Sequence, residues 1–142
     1  MEAAFSSGAA AQKFAKMVSV LGGPSDLLEK PERYLEAAPV VRPVFATSEG
    51  AVVSIDTRAV GVAVVAMRGG RVNATDEIDP VVGFTDLAMV GEFMDSDRPL
   101  GTVHARTADQ ADAAADALVS AYQIGQPANV PDDNVLIETI EP

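Results

Sequence analysis

The run Asp56-Thr57-Arg58-Ala59-Val60-Gly61-Val62-Ala63-Val64-Val65-Ala66-Met67, with Arg68-Gly69-Gly70-Arg71 behind it, decides how the chain is read. Its β-branched content suits a strand. Its flanks suit a helix, because Asp56 is an N-cap type and Gly69-Gly70 supplies the usual C-terminal stop. Local propensity leaves the two readings balanced. The run is about three turns long and carries matching caps that a strand does not need, so the expectation is a buried helix.

Working outward, residues 40–46 and 51–55 are short Val-rich runs separated by Thr47-Ser48-Glu49-Gly50, which predicts a β-hairpin. Pro43 demotes the first of the two strands to an edge or a bulge. Upstream, Ala10, Phe14, Met17, Val18 and Leu21 recur at helical spacing, predicting an amphipathic helix over residues 7–21 that Gly22-Gly23-Pro24 ends. Pro24-Ser25-Asp26 starts a short second helix, which Pro31 restarts as far as Leu35. The first helix has an apolar stripe that must be buried on something. The expectation is therefore a chain cut from a longer one.

Downstream, residues 81–84, 87–90, 91–94 and 100–104 are short runs punctuated by Gly and Pro, read as strands joined by turns, with Asp95-Ser96-Asp97-Arg98 as one turn. Thr107 caps a last helix over residues 108–124, whose inward stripe is Ala111, Ala114, Ala115, Leu118, Ala121 and Tyr122. Gly125 ends it, residues 127–134 are loop, and residues 135–140 make a closing strand. The fold class is α+β: a small mixed sheet packed against helices.

With 21 acidic and 10 basic residues the formal charge is -11, and the basic residues form no stripe. Phosphate backbones are repelled by such a chain, and the scarcity of aromatics argues against base stacking. Nucleic acid is not an expected partner. No apolar run approaches a membrane span, and no export signal is visible, so a cytoplasmic location is expected. The absence of Cys excludes disulfides and thiolate chemistry.

The candidate functional residues are few. His104 is the sole histidine and lacks a second catalytic type at a telling spacing, so it reads as structural. Asp109, Asp112 and Asp116 share a helical face but lack the glycine-containing loop of a calcium site, and read as solvated. Asp76-Glu77-Ile78-Asp79 misses the same pattern and reads as surface. Arg68-Gly69-Gly70-Arg71 alone resembles an anion cradle, although it follows a helix, so a C-cap with exposed arginines is the favoured reading. A biotinyl or lipoyl carrier is excluded, because the lysines, Lys13, Lys16 and Lys30, are nowhere near the turn at residues 95–98 that such chemistry needs. No residue is assigned a catalytic, substrate, cofactor or metal role, and no cofactor is expected.

Four strings, SGAAAQKFAKMVSVLGGP (7–24), DTRAVGVAVVAMRGGR (56–71), DEIDPVVGFTDLAMVG (76–91) and RPLGTVHA (98–105), resemble in order and spacing the carboxy-terminal region of the thymidine and pyrimidine-nucleoside phosphorylases. The resemblance runs from about residue 7 to 124. It implies an α/β-hammerhead arrangement with a projecting hairpin over residues 39–142, preceded by one or two helices (1–38) from the end of a parent α/β domain. It also implies phosphate-dependent cleavage of thymidine to thymine and 2-deoxyribose 1-phosphate, through an oxocarbenium-like transition state. The family's Lys-His-Ser-Thr-Gly-Gly phosphate string is absent here, as is its pyrimidine-holding Arg, Ser and Lys set. The chain is thus expected to be a structural piece, inactive alone, with the rest of the phosphorylase as partner and its first helix available for homodimer formation. The resemblance also puts the loop at residues 68–73 near the parent's cleft, made mobile by its glycines. The alternative is a freestanding module of the same shape that binds another protein.

Overall fold

The computed structural model describes residues 2–130 and divides into two compact units, residues 1–37 and 38 onward. In the first unit, α1 (Glu2–Ser6) precedes α2 (Ala9–Val20). Gly8, at φ 75°, separates the two helices. α2 ends in a double-bonded cap: the N–H of Gly22 donates to Ser19 O at 3.1 Å, and that of Gly23 to Val18 O at 2.9 Å. Gly22 adopts the left-handed conformation this closure needs, with φ 89°. The second expected helix is absent as such. Residues 25–29 are turn, and only Pro31–Arg33 coils, as a 3-10 turn. No residue of α2 is buried, and Phe14, Met17, Val20 and Leu21 are all exposed.

The second unit is α+β, as expected, with two small antiparallel sheets in place of a single mixed one. β1 (Val40–Val44), β5 (Gly101–Ala105) and β3 (Gly83–Thr85) form one sheet in the order β1-β5-β3. β4 (Phe93–Met94), β2 (Gly50–Ile55) and β6 (Tyr122–Gly125) form the other, in the order β4-β2-β6. The hairpin expected from residues 40–55 does not form, since β1 pairs with β5 while β2 pairs with β4 and β6. β1 is nonetheless an edge strand, the position that Pro43 tolerates because it has no N–H to give.

α3 (Thr57–Ala66) is a helix, as the deciding run predicts, but not a buried one: Ala63 is its one buried residue and Val62 is exposed, while Asp56 caps it by accepting from the Ala59 N–H at 2.9 Å. α4 (Ala108–Ala121) starts where Thr107 accepts from the Gln110 N–H. It stops earlier than expected: Tyr122 turns extended and residues 122–125 are β6, not helix. Ala121, Tyr122 and Ile124 carry apolar positions across that change, and pairing with β2 supplies the bonds of the strand that follows the helix. The stripe Ala111, Ala114, Leu118 and Ala121 is buried, and Val52, Met94, Leu100, Val103 and Leu118 form the centre of the core. The expected closing strand at residues 135–140 lies outside the described residues. No helix among the described residues is long and apolar enough to cross a membrane.

Candidate functional site

Residues 68–79 link the end of α3 to the segment before β3, and the chain folds them back on themselves. The cap that ends α3 repeats the one on α2. The Arg68 N–H donates to Val65 O and the Gly69 N–H to Val64 O, both at 2.9 Å. The position that Gly22 fills on α2 is filled here by Arg68, at φ 72°. The glycine stop expected at Gly69-Gly70 is therefore shifted by one residue. Gly69 is the second cap residue, where an added Cβ would lie 2.7 Å from Val64 Cγ1, just as one on Gly23 would lie 2.6 Å from Val18 Cγ1.

Four side chains, those of Asp76, Asp79, Arg106 and Gln110, fasten this loop and its base. Asp76 accepts from the N–H groups of Val72 and Asn73 at 3.0 and 2.8 Å, closing the tip. Asp79 returns to the base, where its N–H donates to Arg68 O at 2.9 Å. Its carboxylate takes both Nε and Nη2 of Arg106, at 2.7 and 3.0 Å. Gln110, in the first turn of α4, accepts from the Arg106 N–H and donates to Met67 O at 3.0 Å, holding the last turn of α3. The loop expected to be mobile on account of its glycines is thus tied at base and tip.

The electrostatics follow from these bonds. The Arg106 hydrogen bond, aided by the Val81 N–H and the charges of Arg106 and Arg68, holds the Asp79 carboxyl below the usual carboxylate range against a desolvation penalty. The Asn73 N–H, with that of Val72, does the same for Asp76. Arg68 and Arg71 are exposed, and neither forms an ion pair among the described residues. The N–H groups of Gly70 and Arg71 also donate no hydrogen bond there.

The remaining candidates are placed apart from this loop. His104, on β5, shares a hydrogen bond at 2.9 Å with the Thr85 hydroxyl of β3, a cross-strand tie. Asp109, Asp112 and Asp116 are exposed on α4, and Asp112 pairs with Arg42 of β1. No group of three or more His, Asp or Glu residues among the described residues is arranged to hold a metal. Asp76 and Asp79, read from sequence as plain surface, prove to be the fasteners of the loop. Their only sequence signal was an acidic run after a glycine-rich stop, which carries no hint of Arg106.

A separate cleft of about 800 Å³ is lined mainly by apolar groups, among them Ile55, Val60, Leu87, Met89 and Val90. Among the described residues Tyr122 is its one ionisable lining residue, and the hydroxyl donates to Ala88 O at 2.9 Å. Burial pushes that phenol up from its ordinary range. Among the described residues, neither cleft nor loop pairs a nucleophile with a positioned base.

The sequence model of the pyrimidine nucleoside phosphorylase C-terminal domain matches residues 51–125, a span that includes α3, the fastened loop and α4. Thymidine phosphorylase of Burkholderia lata is 49% identical over 128 residues, covering 90% of this chain and 29% of that protein. Thymidine phosphorylase of Burkholderia orbicola is 48% identical over 131 residues, covering 92% of this chain and 30% of that protein. The chain spans less than a third of the length of the relatives it matches.

Proposed function

This chain belongs to the pyrimidine-nucleoside phosphorylase family through its C-terminal domain, and we propose that it is the carboxy-terminal part of a thymidine phosphorylase, structural rather than catalytic. The single observation that carries this reading is the identity of nearly half over nine-tenths of the chain, against coverage of less than a third of the relative. On this reading the parent converts thymidine and phosphate to thymine and 2-deoxyribose 1-phosphate in the cytoplasm. The two sheets with α3 and α4 form its hammerhead-like extension, and residues 1–38 complete its α/β domain.

The rest of the phosphorylase is the principal partner. The exposed stripe of α2 supports that assignment, because an apolar face of Phe14, Met17, Val20 and Leu21 is costly to leave in water. In the chain alone the same stripe serves self-association. The side chains needed to clamp phosphate and hold a pyrimidine are supplied by the rest of the enzyme. What this part contributes is a rigid edge, the fastened loop at residues 68–73, beside the cleft.

The test is a chimera in which the aligned segment of the Burkholderia lata thymidine phosphorylase is replaced by this chain. Thymine release from thymidine at a rate within about tenfold of the unaltered enzyme is expected. A chimera that folds and assembles but releases no thymine would overturn the reading.

A further inference from the structure

α2 and α3 end in the same two-bond cap, and the pair acts as an internal control. In both, the second cap residue is a glycine that cannot take a Cβ without striking a valine side chain of its own helix. They differ at the first cap residue, which must be left-handed: Gly22 on α2, Arg68 on α3. A side chain in that conformation is disfavoured relative to glycine. Backbone strain of this kind persists where surrounding structure enforces it, and it concentrates at functional positions.

The surroundings of Arg68 enforce it. Asp79 N–H fixes the Arg68 carbonyl, Arg106 fixes Asp79, and Gln110 fixes the Met67 carbonyl just before it. Asp76 consumes the N–H groups of Val72 and Asn73. The N–H groups of Gly70 and Arg71 and the guanidinium groups of Arg68 and Arg71 are left without a hydrogen bond or ion pair among the described residues. The carboxylates of Asp76 and Asp79 feel the charge of Arg68, but their hydrogen bonds go to other donors. Two forked cations and two backbone donors within four residues are the donor types from which an oxyanion accepts.

We propose that Arg68 is an oxyanion-contact residue, held in a strained left-handed cap by the Asp79–Arg106 clamp so that the edge formed by Arg68, Gly70 and Arg71 binds a phosphate or carboxylate group. Only the source of that group rests on the phosphorylase reading. It is either free phosphate or a carboxylate carried by the rest of the enzyme.

The experiment has two arms and a control. The isotope-labelled 142-residue chain is titrated with inorganic phosphate at constant ionic strength, following the amides of Gly70 and Arg71. Amide exchange at the same two positions is then compared between the chain and the chimera without phosphate. Saturable shifts in the chain that vanish in Arg68→Gly assign a free phosphate. Absence of shifts, with exchange slowed at least tenfold in the chimera and restored by Arg68→Gly, assigns a carboxylate of the polypeptide. Neither shifts nor slowed exchange overturns the proposal. The control is the melting temperature of the Arg68→Gly chain, expected to hold or to rise by about 3 °C. A fall of that size or more means the arginine is kept for stability and also overturns it. A chimera that lacks phosphorolysis yet shows the slowed exchange would remove the proposed function and leave this inference standing.

Discussion

Arg106, at the start of the α4 region, reaches across to Asp79 and grips both carboxylate oxygens at 2.7 and 3.0 Å, twenty-seven positions apart in sequence. Because the Asp79 N–H also holds the Arg68 carbonyl, this one pair joins the last turn of α3 to the approach of α4. Both partners are partly shielded, with side-chain exposures of 37% for Arg106 and 20% for Asp79. The two-pronged geometry gives the pair a fixed direction that a lysine could not reproduce.

The clamp makes the loop acid-sensitive. The folded-state Asp79 carboxyl is held below its ordinary value of 3.8, first by the Arg106 hydrogen bond. A carboxylate shifted in that direction contributes stability that is fully present above the unfolded value and is lost as pH falls through the folded one. Asp76, Glu92 and Asp95 are shifted the same way. Urea midpoints should therefore be level from pH 7 to 5 and fall below about pH 4. Asp79→Asn should lower the midpoint at pH 7 and flatten the acid limb. An acid limb identical to that of the native chain would show that Asp79 takes no part in it.

Neighbouring cap residues should respond in opposite directions. Gly69→Ala places a Cβ 2.7 Å from Val64 Cγ1 and 3.1 Å from Val64 O, so it should destabilise by about 1–3 kcal/mol. Arg68→Gly removes a conformational penalty along with the solvent-screened attraction of an exposed Arg68 for Asp76 and Asp79, and should not destabilise. Equilibrium unfolding of the two variants checks the pair.

Much of this arrangement was readable in the sequence where cause and effect are local. Asp56 and Thr107 are N-cap residues whose side chains satisfy a helix N–H three positions on, so α3 and α4 could be started correctly. Pro43 announced an edge strand for the same local reason. Partner choice was not readable. Residues 40–44 and 50–55 look like the arms of one hairpin, but strand adjacency in sequence does not specify which sheet each joins. Nor could the end of α4 be seen, because Ala121, Tyr122 and Ile124 continue an apolar pattern that suits helix and strand alike. At the site, Arg68 to Arg71 stood out by composition, whereas Asp79 and Arg106 are joined only by the fold.

The core should be least tolerant at Leu118, which is fully buried between α4 and the sheets. Leu118→Ala leaves a cavity and should cost about 2–5 kcal/mol. Thr107→Ala removes only the cap on α4 and should cost about 1 kcal/mol. Denaturant melts of the two variants in parallel rank these effects, and equal losses would contradict the burial assigned to Leu118.

The exposed stripe of α2 should drive association of the isolated chain. Sedimentation should show a concentration-dependent dimer that Met17→Glu shifts towards monomer. A strict monomer with α2 amides as protected as those of α4 would show that the stripe needs no partner.

The most direct measurement is thymine release by the purified 142-residue chain at saturating thymidine and phosphate, beside a blank without protein. A structural part whose phosphate and pyrimidine groups lie elsewhere should match the blank, and added phosphate should not raise the rate. Turnover above the blank that survives repurification, and is lost on an internal substitution such as His104→Ala, would contradict the account at its centre.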